Sequence, residues 1–442
     1  MIRKLWRRLL TLNSRDKTAL KGVLTNIFSK GMSVIALTYS IYVALPTIGK
    51  ELFGIWMALV SLIGVLSFLD LGVGNSLTNI VGTVHARSSK YVAQVVSAGI
   101  FCIFSISCVL FCVLIASSQF IPIDLIIRNG SNEQLVALNE ALPLVLALVS
   151  LNTFSFGITR ILTGLQKPHV ANAVGGIASL ISIVLLFIGS QTYLSLERLI
   201  IFTAGVQSIV PLLLLPYLKS INSITIKVDA RIFRITCRKL VKSGKFFLLL
   251  QIGTIIGWGI DPLVILSISG PEAVALYSIA QRLYQFMTIP LDIYNNAFWP
   301  AVTNAFAKDD TNYLSSRLKI NLTITSIVCL IFIIATSTFG GAAVDVWTRG
   351  EVSLPITLIA AYGLWAGLIT SGNSIAVVLN GCGKIKRQTY VVLVLIAIGL
   401  PLKIVTLQAF GLETMLLAIS IVYVISMVSF LTKDVVQIGC KK

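Results

Sequence analysis

Charge is what this sequence has least of. Of 442 residues only 12% are Asp, Glu, Lys or Arg, while 56% are hydrophobic and the mean hydropathy is +0.92. Soluble chains carry about 25% charged residues, so a soluble globular domain is excluded. Histidine is nearly absent: His85 and His169 are the two, both in short segments between apolar runs, which leaves no His-based triad or zinc centre facing outward. The seven cysteines show no CxxC or Cys/His spacing, and neither a disulfide framework nor a metal site is read from them. Long polar segments are missing too, so no folded aqueous domain fits between the apolar runs. The longest expected outer segment, 117–140, holds Asp124, Glu133 and Glu140 but no close acidic pair, which disfavours a membrane polysaccharide polymerase or ligase. The chain reads as a non-enzyme.

What is present is a succession of apolar runs of about 20 residues, each long enough to cross a bilayer. They predict an all-α integral membrane protein with about twelve helices, at 22–45, 52–74, 92–116, 141–162, 170–190 and 198–217, then 246–268, 271–299, 318–342, 353–379, 389–407 and 412–432. The expected organisation is a basic N-terminal segment (1–21), an N-lobe (22–217), a basic linker (218–245), a C-lobe (246–432) and a tail (433–442). Lys and Arg accumulate on one side of this arrangement. Only Lys50, Arg128, Arg198 and Arg349 fall between helices on the other. Basic loops stay in the cytoplasm, which predicts both termini there. The net charge of +18 is therefore read as topology and lipid contact rather than nucleic-acid binding.

The halves echo one another. Gly49-Lys50-Glu51 and Trp56 align with Gly270-Pro271-Glu272 and Tyr277, and Gly164-Leu165-Gln166-Lys167 aligns with Gly381-Cys382-Gly383-Lys384. Six helices per half is an even number, so both halves enter from the same side. The repeat axis then runs along the membrane normal, and two lobes related by a pseudo-two-fold enclose a central cavity suited to alternating access.

Ionisable residues inside the apolar runs carry the functional information, because an unpaired charge at mid-helix costs about 3 kcal/mol or more. They are Lys30, Asp70, Asp261, Arg282, Asp292 and Lys403. Lys30 shares a polar stripe with Asn26, Ser29, Ser33 and Ser40. Gln281, Gln285, Thr288 and Asp292 recur at helical spacing on one face, with Arg282 beside them. Lys30, Arg282, Asn26, Ser33, Gln281 and Gln285 are thus the expected lining of a hydrophilic lumen. The competing reading of the Gln, Thr and Ser residues is glue between helices. Asp261, Asp292 and Asp70 are expected in charge pairing or ion coupling, with helix capping the stronger role for Asp70. Lys403 is expected to snorkel to outer headgroups, and Trp56, Trp299 and Trp347 to anchor at interfaces.

Gly54-Ile55-Trp56 followed by Asp70-Leu71-Gly72-Val73-Gly74-Asn75-Ser76 resembles the start of the Wzx-type polysaccharide flippases. These belong to the multidrug/oligosaccharidyl-lipid/polysaccharide (MOP) exporter superfamily. Asp261, Gly270, Tyr277 and Ala280-Gln281-Arg282-Leu283 are similar to the second-half counterpart, and Asn380-Gly381-Cys382-Gly383-Lys384 to the loop after the tenth helix. The resemblance implies a multi-pass protein of the bacterial inner membrane with two six-helix lobes around a cationic cavity. It would move an undecaprenyl-pyrophosphate-linked glycan to the periplasmic leaflet for O-antigen-like polysaccharide, alongside other assembly proteins. No cofactor is implied, while H⁺ or Na⁺ coupling is open. Within the superfamily the alternative is a cation-coupled multidrug antiporter, which an acidic cavity would favour. On the flippase reading, Lys30 and Arg282 meet the pyrophosphate from opposite lobes and the amides and hydroxyls meet the sugars.

Overall fold

The computed structural model describes residues 14–67, 73–87, 91–118, 120, 127, 131–221, 223–225, 228–255, 259–298, 302, 305–306, 309–382 and 386–440. Among these residues the regular structure is helical throughout, with no strand. The long helices are α1 (Ser14–Ser67), α2 (Val73–Arg87), α3 (Val92–Ser118), α4 (Asn132–Gly164), α5 (Pro168–Ser190), α6 (Leu196–Ser220), α7 (Ala230–Thr254), α8 (Asp261–Ala297), α9 (Thr311–Trp347) and α10 (Ile356–Gly381). Then come α11, built from Lys386–Val394, a π turn Leu395–Gly399 and Leu400–Phe410, and α12 (Leu412–Cys440). Ten helices among the described residues are long and apolar enough to cross a membrane.

Two backbone breaks account for much of the difference from the expected twelve. A straight α1 of 54 residues would reach about 80 Å, far beyond a hydrocarbon core of about 30 Å. It is broken at Gly49 (φ 75°, ψ 166°), joining two expected spans in one element. Within α8, Gly270 adopts nearly the same conformation (φ 82°, ψ 178°), in a region of backbone space essentially reserved for glycine. The two breaks occupy equivalent places in the sequence echo, so the repeat appears in the backbone as well as in the letters.

The helices also extend into the expected connections. The span predicted at 246–268 is divided between α7, which ends at Thr254, and α8, which begins at Asp261. The segment after residue 74 is helical through Arg87, and the basic stretch predicted as a linker turns helical at Ala230.

The chain falls into two compact units, neither continuous in sequence: residues 1–43, 62–121 and 139–251, and residues 44–61, 122–138 and 252–442. The core of the first gathers Leu77, Val81, Val96, Ile103, Ile161, Leu162, Leu214 and Leu240. Helices in lipid gain no hydrophobic drive from meeting each other and rely on close packing, which small residues permit. Accordingly a Cβ at Gly157 would stand 2.3 Å from Ile103, and one at Gly99 2.5 Å from Leu77.

In the second unit the same device is sharper. A Cβ at Gly54 would lie 1.9 Å from the Pro271 carbonyl oxygen, so the α1 backbone rests directly on that of α8. Lys50 Nζ lies 3.6 Å from Glu272 beside this contact, and Gln134 donates to Glu51 at 2.6 Å. On α9, Ile327, Leu330, Ile331 and Ile334 form an exposed apolar stripe of the kind that lipid covers.

Candidate functional site

The charged centre of the second unit lies where α8 begins. Asp261 is its first residue, at the positive end of the helix dipole. Lys403 Nζ donates to Asp261 Oδ1 at 2.6 Å, and Tyr277 Oη donates to Oδ2 at 2.9 Å. Both charged side chains are 1% exposed. Lys403 follows the π turn of α11, an insertion that re-aims the residues after it. Its ammonium also lies 5.9 Å from the Trp365 ring centre. The snorkelling expected of Lys403 is therefore wrong: a fixed carboxylate inside the unit outcompetes the headgroups for it. Asp261 is thus in a buried charge pair.

Next to this pair is a cavity of ≈ 290 Å³ between α8 and α10. Gln281, Gln285, Thr288 and Asp292 line it from α8, and Tyr362, Trp365, Ala366, Ile369, Thr370 and Asn373 from α10, with Tyr284 beneath. Helical spacing brings the α8 set to one face. Its aromatic members are sealed into the protein: Tyr284 is 0%, Trp365 1% and Tyr362 7% exposed. Tyr284 Oη donates to the Ile359 carbonyl at 2.9 Å and lies 2.7 Å from Thr336 Oγ1. Gly363 makes room for it, since a Cβ there would approach that hydroxyl to 2.3 Å. Tyr362 stacks on Tyr284 and meets Tyr277 edge-on at 5.4 Å. These rings form a floor between the cavity and the Asp261–Lys403 pair. The half-buried polar groups form its walls, and there Asn373 Nδ2 donates to Asp292 Oδ1 at 3.3 Å.

Polar character continues along the same three helices. Thr325 of α9 and Ser374 of α10 share a hydrogen bond at 2.9 Å. Asn295, 1% exposed, has no protein partner for either amide atom, and neither has Asn321 Nδ2. A buried amide left unpaired costs about 1–3 kcal/mol per group.

Similarity to known proteins follows the same lines. Over 374 residues the chain is 21% identical to the "Putative O-antigen export protein" of Yersinia pseudotuberculosis, covering 81% of this chain and 82% of that one. No protein-family model matches the chain. Among solved structures, an inward-facing multidrug resistance MATE family transporter of the MOP superfamily superposes with a TM-score of 0.75. The identity is 15%, over 95% of this chain and 99% of the other. The fold is that of the MOP-superfamily transporters. The inward closed form of the lipid II flippase MurJ shares it, with a TM-score of 0.70 and 14% identity over 95% and 89% of the two chains. Membrane-length helices and this fold make the chain a multi-pass membrane protein.

Within this MOP fold the remaining expected residues are scattered. Arg282 is half-buried, does not line the cavity, and has a buried Nε without a hydrogen-bond partner. Asp292 accepts from Asn373. Lys30 is exposed and Asn26 half-buried on α1 in the first unit. Ser33 lies 3.1 Å from Ser179, which also accepts from Gln207 at 3.0 Å. Asp70 and Trp299 lie outside the described residues. Trp56 is not an interfacial anchor: it is 1% exposed and packs edge-on against Phe53. Sequence reasoning missed Tyr362 and Asn373 and misplaced Lys403. For Lys403 the signal was available, since a lysine and an aspartate alone in two apolar runs of one half are natural partners.

Proposed function

We propose that the chain is a flippase that carries a polyprenyl-pyrophosphate-linked oligosaccharide from the cytoplasmic to the periplasmic leaflet of a bacterial inner membrane, both termini in the cytoplasm. The carrying observation is the cavity of ≈ 290 Å³ within membrane-spanning helices, walled by amides, hydroxyls and one carboxylate. Such walls suit a hydroxyl-rich head, while the lipid tail stays in the bilayer. Similarity to a protein named for O-antigen export supports the glycan, and the fold shared with a lipid II flippase supports the lipid carrier. No chemical step is required of the protein on this reading, and it is a transporter rather than an enzyme. Moving two negative charges outward down an inside-negative potential of about 100 mV releases roughly 4–5 kcal/mol, which favours export.

Lys30 and Arg282 are the proposed cations for the pyrophosphate. The exposure of Lys30 and the unpartnered Nε of Arg282 support this role. The test is a deletion strain. Lipid-linked glycan should accumulate on the cytoplasmic face, as read by mass spectrometry, and the wild-type gene should restore surface polysaccharide. Lys30→Ala and Arg282→Ala should express normally and fail to restore it, with Arg282→Lys partly active because its charge survives without the planar fork. Full complementation by both alanine variants would refute the anion role, and no accumulation in the deletion strain would refute the flippase. Drug antiport is the second reading, favoured by Asp292 in the cavity wall. It predicts ion-coupled efflux of cationic dyes, and an unchanged glycan pool on deletion.

A further inference from the structure

The first turns of α7, in the first unit, form a two-sided helix. Asp229 Oδ1 accepts from the Arg231 and Ile232 backbone amides at 2.7 and 3.2 Å, which fixes where the helix starts. From there Ile232, Thr236 and Leu240 recur every fourth residue. Thr236 and Leu240 are buried, and Ile232 and Leu240 join the core that holds Val92, Val95 and Val96 of α3. Phe233 meets Phe101 of α3 edge-on at 5.5 Å. The segment before α7 is tied to the same helix, since the Thr225 backbone N–H donates to Ser97 Oγ at 2.8 Å. Arg231, Arg234 and Arg238 follow i, i+3, i+7 spacing, so they share the opposite face, and all three are exposed. Ile235 stands among them, 44% exposed.

The depth of this face is set by α3. From Val92 to Ile100 its residues are buried or half-buried, and Phe101 is its first exposed large apolar side chain, followed by Phe104, Val109, Phe111 and Val113. From Phe101 to Ser118 the helix rises about 26 Å, close to a hydrocarbon core of about 30 Å. Phe101 therefore marks the boundary between acyl chains and headgroups on the side where α3 begins. Contact with Phe101 puts Phe233 at that boundary and the arginine face of α7 at headgroup level. Guanidinium forks match phosphate oxygens. A soluble phosphate would suit the arginines alone, whereas a phospholipid also accounts for the apolar Ile235 between them.

We propose that the Arg231, Arg234 and Arg238 face of α7 is a docking surface for anionic phospholipid headgroups, with Ile235 turned toward the acyl chains. The proposed topology makes this leaflet the cytoplasmic one, whose negative surface attracts basic segments. The inference concerns the bilayer and not the cargo, and it stands whether the chain moves glycans or drugs.

The test places a reporter among the arginines. Purified full-length protein carrying Ile235→Cys is reconstituted in nanodiscs of phosphatidylcholine alone or with a third of phosphatidylglycerol. It is then labelled with an uncharged hydrophilic maleimide, and the rate at that residue is followed by peptide mass spectrometry. Phosphatidylglycerol should slow labelling several-fold. Arg231→Gln, Arg234→Gln and Arg238→Gln made together should abolish the difference, and all three lie on an exposed face where glutamine fits. Inositol hexakisphosphate added to the phosphatidylcholine nanodiscs should protect little.

Equal labelling in the two nanodiscs would overturn the docking surface. Slowing that persists in the triple variant would overturn it too, because a lower pH at any anionic surface slows a thiol without binding. Protection by inositol hexakisphosphate as strong as that by phosphatidylglycerol would overturn it in favour of a soluble polyanion. A second measurement is independent of the reporter. Native mass spectrometry of the detergent-extracted protein should show fewer phosphatidylglycerol molecules on the triple variant than on the wild type, and equal retention would refute the role of the arginines.

Discussion

Removing the ammonium from the Asp261–Lys403 pair should cost more than any change on the polar walls nearby. At 2.6 Å and an effective dielectric of about 20, the two charges attract by about 6 kcal/mol before desolvation. Desolvating each group costs several kcal/mol, so the intact pair is close to neutral against apolar residues of the same shape, whereas a single deletion leaves a buried uncompensated charge and costs about 3–5 kcal/mol. Lys403→Met keeps most of the stem volume and leaves Asp261 with Tyr277 as its remaining partner. It should lower both the yield of monodisperse protein and the midpoint of thermal denaturation in detergent. Asp261→Asn with Lys403→Met removes both charges while the Asn side chain still accepts from Tyr277, and should recover most of the loss. The contact of Lys403 with the Trp365 ring disappears in both lysine variants and cancels from the comparison. The two substitutions should therefore couple by about 3 kcal/mol rather than add. A Lys403→Met protein as stable as wild type, or a double variant as damaged as the sum of the singles, would refute the reasoning.

Gly54→Ala should fail differently, because its Cβ meets backbone rather than a movable side chain. Sharply reduced folded protein is expected on size-exclusion chromatography, while Gly64→Ala, where a Cβ meets nothing within 4 Å, should be silent. Tyr284→Phe removes the donor to the Ile359 carbonyl and the contact with Thr336. It should destabilise by about 1–2 kcal/mol, read as a lowered denaturation midpoint. For orientation, reporter fusions after residues 90, 230, 310 and 386 should read cytoplasmic, and those near 130, 195 and 349 periplasmic. A periplasmic signal at 230 would invert the arrangement.

The sequence carried the helices, because apolar length and basic loops follow from the bilayer alone. It also carried the α8 face of the cavity, since residues on one helix are tied by a fixed period: Gln281, Gln285, Thr288 and Asp292 needed no knowledge of a partner. The opposite wall was not legible. Thr370 and Asn373 belong to a helix whose rotation is set by packing, with Gly363 receiving Tyr284 and Gly367 facing Cys329. Lys403 was misjudged for a related reason. Distance from a helix end measures depth, but it does not say which way a side chain turns, and the π turn before it gave no signal in the letters.

The positions of the two carboxylates assign them different work. Asp261 is neutralised at 2.6 Å by Lys403 and bonded by Tyr277, behind a floor of rings. Paired opposite charges project little field, so beyond that floor the pair is nearly silent. Asp292 lies in the cavity wall, where the Asn373 amide donates to it at 3.3 Å. Arg282 lies on α8 next to the lining residue Gln281 yet outside the lining itself. One helix thus presents amides, a hydroxyl and a carboxylate on the cavity face and a guanidinium off it, so buried charge pairing falls to Asp261 and the cavity wall to Asp292.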